Sequence, residues 1–259
     1  MTAGRLPAGY DALSRAGVRA FAWAAAASWV ESVLVASGTL YDWSSRLAAD
    51  SRSGRGPVNV VDAPVAGPDR AARWAVRHYR RGGRAAPLLG DRYWGAGRTR
   101  PERELEASVH ARARGIRTPA VVAGAVYRAT SSGALGFYRA DLVTELVPGA
   151  QSLAEALLAG GDSLAPLRRT GALVRALHGA GVLHPDLNAG NVVLDEEGEA
   201  WVLDLDRARR LRRPSRWGAR AMLARLERSL RKLERARARP ISHEEWATLR
   251  SGFEEGARA

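Results

Sequence analysis

Apolar and polar positions in the first half of the chain follow the spacing of β-strands. Two apolar runs, Ala120 to Tyr127 and Tyr138 to Leu146, have the length of strands. A shorter strand pattern in Arg73 to Gly83 stops at a Gly-Gly pair, and Ser51 to Val61 predicts a glycine-bearing turn that leads into a strand. The first half is therefore expected to be rich in strands.

Helical spacing is typical of the second half. Ser152 to Leu158 and Leu164 to His178 carry apolar residues three and four positions apart, and the leucines of Arg207 to Arg239 recur in the same way between arginines. The first half contributes one such segment, Thr99 to Arg114, in which Thr99 can cap the helix and glutamates fill its start. Together these patterns predict an α+β protein.

A break in the pattern near Glu145 to Gly149 separates the two halves. We therefore predict a strand-rich N-terminal lobe over residues 1–146, in which 1–50 form an extension of unclear role, and a helical C-terminal lobe over 147–259. The apolar run from Ala20 to Ala36 contains Glu31 and is too short for a membrane span, which favours a buried helix or strand. No signal peptide is expected from the N-terminal pattern.

Charge narrows the classes of partner. The 259 residues carry a formal net charge of +13, nearly all from arginine, because Lys232 is the only lysine. This excess reflects either genomic base composition or an anionic partner, such as a phosphorylated substrate, an acidic membrane surface or a nucleic acid. No recognition motif accompanies the charge, so no nucleic-acid partner is expected. The absence of cysteine excludes disulfides and thiolate metal sites.

The stretch from His184 to Asp206, HPDLNAGNVVLDEEGEAWVLDLD, holds two polar clusters around a predicted hairpin. Transfer of a phosphoryl group from ATP to an alcohol needs a carboxylate for the acceptor hydroxyl and oxygen ligands for a metal ion. Asp186 can supply the carboxylate, and Asn191 and Asp204 can bind Mg²⁺ once the hairpin brings them together. The order H-x-D-L-x-x-x-N, strand, D-L-D is that of a protein-kinase-like catalytic loop. The alternative is a polar hairpin without chemistry.

A kinase also needs a cation for the nucleotide phosphates. The sequence WAVR, Trp74 to Arg77, stands where kinases carry a strand that ends in lysine. Because no lysine precedes Lys232, Arg77 is predicted to hold the ATP phosphates, and arginine can do so through two hydrogen bonds. Glu104 is its predicted ion-pair partner. Two glutamates nearby compete for that role, namely Glu102 and Glu106.

Several positions carry weaker signals. Gly54 and Gly56 predict either a loop that covers the phosphates or a plain surface turn. Asp206 stands where kinases usually have glycine, and we expect it to cap a following helix or, as the alternative, to contact metal or substrate. His184 is expected to support the catalytic loop through a hydrogen bond. The remaining histidines considered, His78 and His178, are expected in packing or at the surface.

Six segments together resemble the 3-deoxy-D-manno-octulosonic acid (Kdo) kinases of the lipopolysaccharide-core kinase family. They are VRHYRRGG (Val76 to Gly83), DRYW (Asp91 to Trp94), FYRADLVTELVPGAQSLAEAL (Phe137 to Leu157), HPDLNAGNVVLD (His184 to Asp195), LDLDRAR (Leu203 to Arg209) and LARLERSLRK (Leu223 to Lys232). The resemblance spans roughly residues 50–235. Arginine in the strand motif is expected within this family, whereas Pro185 and Leu205 depart from its usual pattern.

The resemblance implies a two-lobed, protein-kinase-like fold and ATP-dependent phosphorylation of the Kdo sugar on a lipid A precursor, with Mg²⁺ as the metal. It also implies a peripheral location at the cytoplasmic face of the bacterial inner membrane. The segment Arg207 to Arg239 has 14 basic and 2 acidic residues, so it is either a contact for the anionic membrane surface or a solvated helix. The alternatives are a kinase for another sugar, such as core heptose, and a membrane-associated pseudokinase.

Overall fold

The computed structural model describes residues 5–48, 50–52, 58–80, 91–94, 97–128, 137–212, 216–237 and 239–255. The chain divides into two compact units, one of Met1–Glu106 with Ala120–Leu146 and one of Ala107–Pro119 with Val147–Ala259. The first unit is rich in strands and the second in helices, which is the predicted fold class. The predicted lobes, 1–146 and 147–259, differ from these units in the placement of residues 107–119.

Antiparallel strands of the described chain form the main sheet of the first unit. Its spatial order is β1-β2-β7-β8-β5-β4-β3, and β6 also pairs with β8. The strands are β1 (Tyr10–Arg15), β2 (Val18–Trp23), β3 (Asp50–Arg52), β4 (Val58–Asp62), β5 (Arg73–His78), β6 (Tyr93–Trp94), β7 (Val121–Arg128) and β8 (Phe137–Glu145). The strands predicted from apolar runs are thus confirmed, with small shifts at their ends.

The N-terminal residues are part of this sheet and its core. The run from Ala20 to Ala36, expected to form a buried helix or strand, contains parts of both: β2 ends at Trp23, and a 3-10 turn leads into helix α1 (Ala27–Ser37). Helix α2 (Leu40–Leu47) follows. Trp29 and Trp43 from these helices meet at 4.9 Å between ring centroids, and Trp29 lies at the same distance from the buried Trp74 of β5. These aromatic contacts pack the N-terminal helices against β5.

Helix α3 (Arg100–Arg112) begins where the sequence predicts. The carboxylate of Glu102 accepts hydrogen bonds from the main-chain N–H of Thr99, at 2.6 Å, and from its hydroxyl, at 2.9 Å. These bonds satisfy polar groups at the start of the helix that would otherwise lack partners. The division between the two units falls within this helix, after Glu106.

Four helices and several short strands are described in the second unit. The helices are α4 (Leu153–Ala159), α5 (Leu164–Gly179), α6 (Arg216–Arg237) and α7 (His243–Glu255). The strands β9 (Gln151–Ser152), β11 (Val192–Leu194) and β12 (Ala200–Val202) form one sheet, and β10 (Val182–Leu183) pairs with β13 (Arg209–Arg210). Gly171 and Gly252 let α5 and α7 approach, since a Cβ on either would clash with a carbonyl oxygen of the other helix.

The basic segment Arg207 to Arg239 is only partly helical, contrary to the prediction. A 3-10 helix (Leu205–Arg207) and strand β13 occupy its beginning, and α6 begins at Arg216. The pairing of β13 with β10 explains the difference, because main-chain bonds to a distant strand override the local helical spacing. None of the described helices combines the length and the apolar character that a membrane-spanning helix needs.

Candidate active site

The loop between β10 and β11 carries Asp186 and Asn191. Its conformation is fixed by its own amide side chains: Nδ2 of Asn188 donates to the main-chain oxygen of Asp186 at 2.8 Å, and Nδ2 of Asn191 donates to the same oxygen at 3.4 Å. Leu187 and Ala189 point into the core of the second unit. The alternation of buried apolar and partly exposed polar residues therefore presents Asp186 and Asn191 from a rigid loop.

The hairpin β11–β12 brings Asp204 next to Asn191. Val192 pairs with Val202, and the N–H of Leu203 donates to the carbonyl oxygen of Asn191 at 2.8 Å. Asp204 follows directly and has a left-handed backbone, with φ of 64°. Such a conformation is unfavourable for a residue with a Cβ and is maintained only where the surrounding structure enforces it. The predicted metal ligands, Asn191 and Asp204, are thus adjacent in this hairpin.

His184 connects the loop to the hairpin, as predicted. The ring is fully buried, and Nε2 lies 3.1 Å from the carbonyl oxygen of Leu203, to which it donates a hydrogen bond. Burial lowers the pKa of His184, so the imidazole is neutral at physiological pH. His184 therefore fixes the chain one residue before Asp204 and is not placed as a proton donor or acceptor for substrate.

The carboxylate of Asp186 contacts an arginine that the sequence analysis did not single out. Nη1 of Arg207 donates to Oδ2 of Asp186 at 2.7 Å, and the two side chains are 59% and 31% exposed. Asp206, the residue before Arg207, is buried within the 3-10 helix. Its predicted role as the cap of a helix over 207–213 is wrong, because no α-helix begins within the described residues 207–212.

The chemistry of the donor groups suits a hard cation. Asn191 and Asp204 offer amide and carboxylate oxygens, which are ligands that Mg²⁺ prefers when phosphates and water complete its coordination. Among the described residues no group of three or more His, Cys, Asp or Glu side chains could enclose a metal ion.

In the first unit, Arg77 of β5 forms an ion pair with Glu104 of α3. Glu104 is almost fully buried and also accepts a hydrogen bond of 2.6 Å from the hydroxyl of Tyr79. The guanidinium of Arg77 lies 5.2 Å from the centre of the Tyr79 ring. Carboxylate, hydroxyl and aromatic ring together hold the cation on this strand in one position.

The three glutamates at the start of α3 have separate partners. Glu104 pairs with Arg77, whereas Glu102 accepts the bonds from Thr99 and Glu106 forms an ion pair with Arg98. The structure thus separates residues that the sequence left as competitors. The proposed phosphate loop, Gly54 and Gly56, lies outside the described residues.

A second polar network, which the sequence analysis missed, surrounds His78. The ring of His78 joins two carboxylates, with Nδ1 at 2.6 Å from Asp141 and Nε2 at 3.0 Å from Asp91. Asp141 is fully buried and also accepts bonds from the hydroxyl of Tyr127 and the N–H of Tyr41. His78 therefore ties β5 to β8 and to α2. The sequence signal for this network lay in the segments DRYW and YRADL, which contain the partners Asp91 and Asp141.

These features define the class of protein. A strand-borne cation paired with a helix glutamate and an H-x-D-L-x-x-x-N loop followed by D-L-D are the parts of a kinase-like phosphotransferase. The fold agrees: the solved structure of WaaP in complex with acyl carrier protein matches with a TM-score of 0.51 at 14% identity and covers 86% of each chain.

The family is defined by sequence. Residues 49–253 match the "Lipopolysaccharide kinase (Kdo/WaaP) family", and the chain belongs to that family. It is 39% identical over 216 residues to the 3-deoxy-D-manno-octulosonic acid kinase of Xanthomonas oryzae pv. oryzae (strain PXO99A), with 82% of this chain and 81% of that protein covered. The kinase of the same description from Stenotrophomonas maltophilia (strain K279a) is 34% identical over 214 residues, with the same coverage.

Family membership confirms the resemblance inferred from the six segments. The protein is a phosphotransferase of lipopolysaccharide biosynthesis that uses ATP and acts on a sugar hydroxyl.

Proposed function

We propose that this kinase phosphorylates a hydroxyl of the Kdo sugar on a lipid A precursor. The observation that supports this assignment most strongly is the similarity to Kdo kinases over most of both chains. The loop that carries Asp186 adds a chemical argument, because it presents a carboxylate from a rigid segment beside two oxygen ligands.

Each candidate residue has a role in this reaction. Asp186 accepts the proton of the acceptor hydroxyl while the oxygen forms its bond to the γ-phosphorus and the bond to the β–γ bridging oxygen breaks, with the electron pair leaving on ADP. Asn191 and Asp204 would hold Mg²⁺, which neutralises phosphate charge when bound. Arg77, fixed by Glu104, binds the ATP phosphates. Gly54 and Gly56 remain proposed as the covering loop.

We also propose that the enzyme works at the anionic cytoplasmic face of the inner membrane as a peripheral protein. One side of α6 is buried in the second unit through Ala219, Met222, Leu226 and Leu230. The opposite side is exposed and cationic, with Trp217 82% exposed at its beginning. The exposed basic residues of this side are Arg220, Arg228, Arg231, Lys232 and Arg235. Basic side chains with an exposed tryptophan favour anionic lipid surfaces.

The membrane proposal is tested by sedimentation with lipid vesicles. The protein should bind vesicles that contain phosphatidylglycerol and be released by salt, while vesicles of phosphatidylcholine alone should retain little of it. Replacing Arg228 and Arg231 with glutamate should abolish binding. Equal binding to both kinds of vesicle would contradict an electrostatic contact.

The acceptor assignment is tested by transfer of label from γ-³²P ATP to two acceptors, a Kdo-bearing lipid A precursor and a heptose-bearing core acceptor. The proposal predicts label in the Kdo acceptor. Transfer to heptose alone would replace Kdo by heptose as the substrate, and failure of both transfers together with retained ATP binding would favour a pseudokinase.

A further inference from the structure

Arg207 lies beside Asp186 because the backbone places it there. Strand β10 ends at Leu183, three residues before Asp186, and Leu183 pairs with Arg209, two residues after Arg207. On the other side, Arg207 ends the 3-10 helix that follows Asp204. The N–H of Leu211 further donates to the carbonyl oxygen of Gly181 at 2.8 Å. Both chain segments are therefore fixed, and the guanidinium is directed to Asp186 by strand register.

Stability alone does not account for this ion pair. Both side chains are reached by water, and exposed ion pairs contribute little to folding because solvent screens them. The bond uses one of the five N–H donors of the guanidinium, so the planar group can bind a second anion without a change of backbone. Arg207, with N–H donors left over next to the proposed base Asp186, is therefore suited to bind a negatively charged acceptor.

The proposed acceptor carries such a charge. 3-Deoxy-D-manno-octulosonic acid has a carboxyl group, which is ionised at neutral pH. Carboxylates bind arginine through two parallel hydrogen bonds, which fix orientation as well as position.

We propose that Arg207 binds the carboxylate of the acceptor sugar acid and so directs its hydroxyl to Asp186. Arg207 is thus a specificity-determining residue that selects an acidic sugar over a neutral one. In this role it exchanges or shares its bond to Asp186 when the acceptor binds, which leaves a carboxylate oxygen for the hydroxyl proton. The inference rests on the proposed function, since it assumes a Kdo acceptor.

The test compares the Kdo acceptor with its methyl ester, which has the same hydroxyl groups without the negative charge. The wild-type enzyme should prefer the acid in kcat/KM by about 10- to 100-fold, the range of a charge-assisted hydrogen-bond pair. Arg207→Gln should raise the KM for the acid by a similar factor, leave the KM for ATP unchanged and remove the preference over the ester. Arg207→Lys should recover part of the preference, because it restores charge without the planar group.

Arg210→Gln is the matched control, since it removes the same charge from an exposed position in the same strand pair. It should retain the preference, and all variants should melt at the wild-type temperature. If Arg207→Gln lowers kcat/KM equally for the acid and the ester, or raises the KM for ATP, the inference is overturned and Arg207 is assigned to the phosphoryl group instead. A wild-type enzyme that transfers no phosphate to the Kdo acid would overturn the proposed function itself.

Discussion

The ion pairs Arg77–Glu104 and Arg207–Asp186 join the same chemical groups in different surroundings. In the first unit Glu104 is buried, and Tyr79 contacts both members of the pair. In the second unit both side chains are reached by water, and a single hydrogen bond joins them. Arg77 is therefore held in position before a ligand binds, whereas Arg207 can exchange its partner at a low cost in free energy. The difference in burial thus suits Arg77 to a fixed position and Arg207 to a contact that changes when a ligand binds.

The largest effect is expected from Asp186→Ala. Loss of the carboxylate that we propose as acceptor of the hydroxyl proton should reduce kcat by about 100- to 10,000-fold, the usual range for a general base. Because Asp186 is partly exposed, the melting temperature and the affinity for ATP should change little. Glu197→Gln, at an exposed position of the β11–β12 turn, is the control and should keep full activity. A kcat within threefold of wild type in Asp186→Ala would refute the role of this carboxylate.

Glu104→Gln should have the next largest effect. It removes the buried charge that holds Arg77, so the KM for ATP should rise about tenfold or more, and the free energy of unfolding should fall by about 2 kcal/mol after allowance for the part of Arg77 that water reaches. Glu106→Gln, which affects the more exposed pair with Arg98, should change both quantities only slightly. Steady-state kinetics and urea unfolding measure the two effects. Equal changes in KM and in the free energy of unfolding for Glu104→Gln and Glu106→Gln would contradict the greater importance assigned to the buried pair.

Tyr79→Phe tests the buried arrangement more finely. The change keeps the ring beside Arg77 and removes the hydroxyl bond to Glu104. The free energy of unfolding should therefore fall by about 1–2 kcal/mol, and the KM for ATP should rise a few-fold. Tyr10→Phe removes a hydroxyl bond to the carbonyl oxygen of Val121 in the same unit. It should lower the free energy of unfolding and leave the KM for ATP unchanged. An unchanged KM for ATP in Tyr79→Phe would indicate that Arg77 does not depend on this hydroxyl.

The smallest expected effect is a pH dependence of the free energy of unfolding that arises from His78. Burial lowers the pKa of His78, but bonds and charges of Asp141 and Asp91 raise it by more, so the pKa in the folded protein lies above the ordinary 6.5. The folded state therefore binds the proton more tightly than the unfolded state. The resulting stabilisation is complete below pH 6.5 and is lost as the pH rises through the folded-state pKa.

The measurement is urea unfolding at a series of pH values, for wild type and His78→Gln. The wild type should lose part of its free energy of unfolding across this range, and the variant should lack that pH-dependent component. Arg80 and Arg139 lie near the same histidine and keep their charge throughout, so they do not add to the slope. Parallel curves for the two proteins would exclude His78 as the titrating group.

Local patterns predicted much of this architecture. The apolar runs of β7 and β8, the start of α3 and the spacing of Asp186, Asn191 and Asp204 all depend on residues close in sequence, where periodicity and capping preferences operate. The pairing of Glu104 with Arg77 was also anticipated, but only the packing of α3 separated it from Glu102 and Glu106.

The parts that were missed depend on distant contacts. Strand β2 pairs with β7 about a hundred residues later, so residues 18–23 gave no local sign of their place in the sheet. The His78–Asp141 bond joins residues 63 positions apart, and Arg207 reaches Asp186 only because β10 and β13 pair. Such contacts arise from tertiary pairing, which a local hydrophobic pattern does not contain.

The proposed reaction is the transfer of the γ-phosphoryl group of ATP to a hydroxyl of Kdo. Tandem mass spectrometry can locate the phosphate in the product formed from ATP, Mg²⁺ and a Kdo-bearing lipid A precursor, with Asp186→Ala as the blank. The product should carry one added phosphate that remains on the Kdo fragment and is absent in the blank. Phosphate on the lipid A sugars instead, or an equal yield from Asp186→Ala, would contradict the proposed reaction.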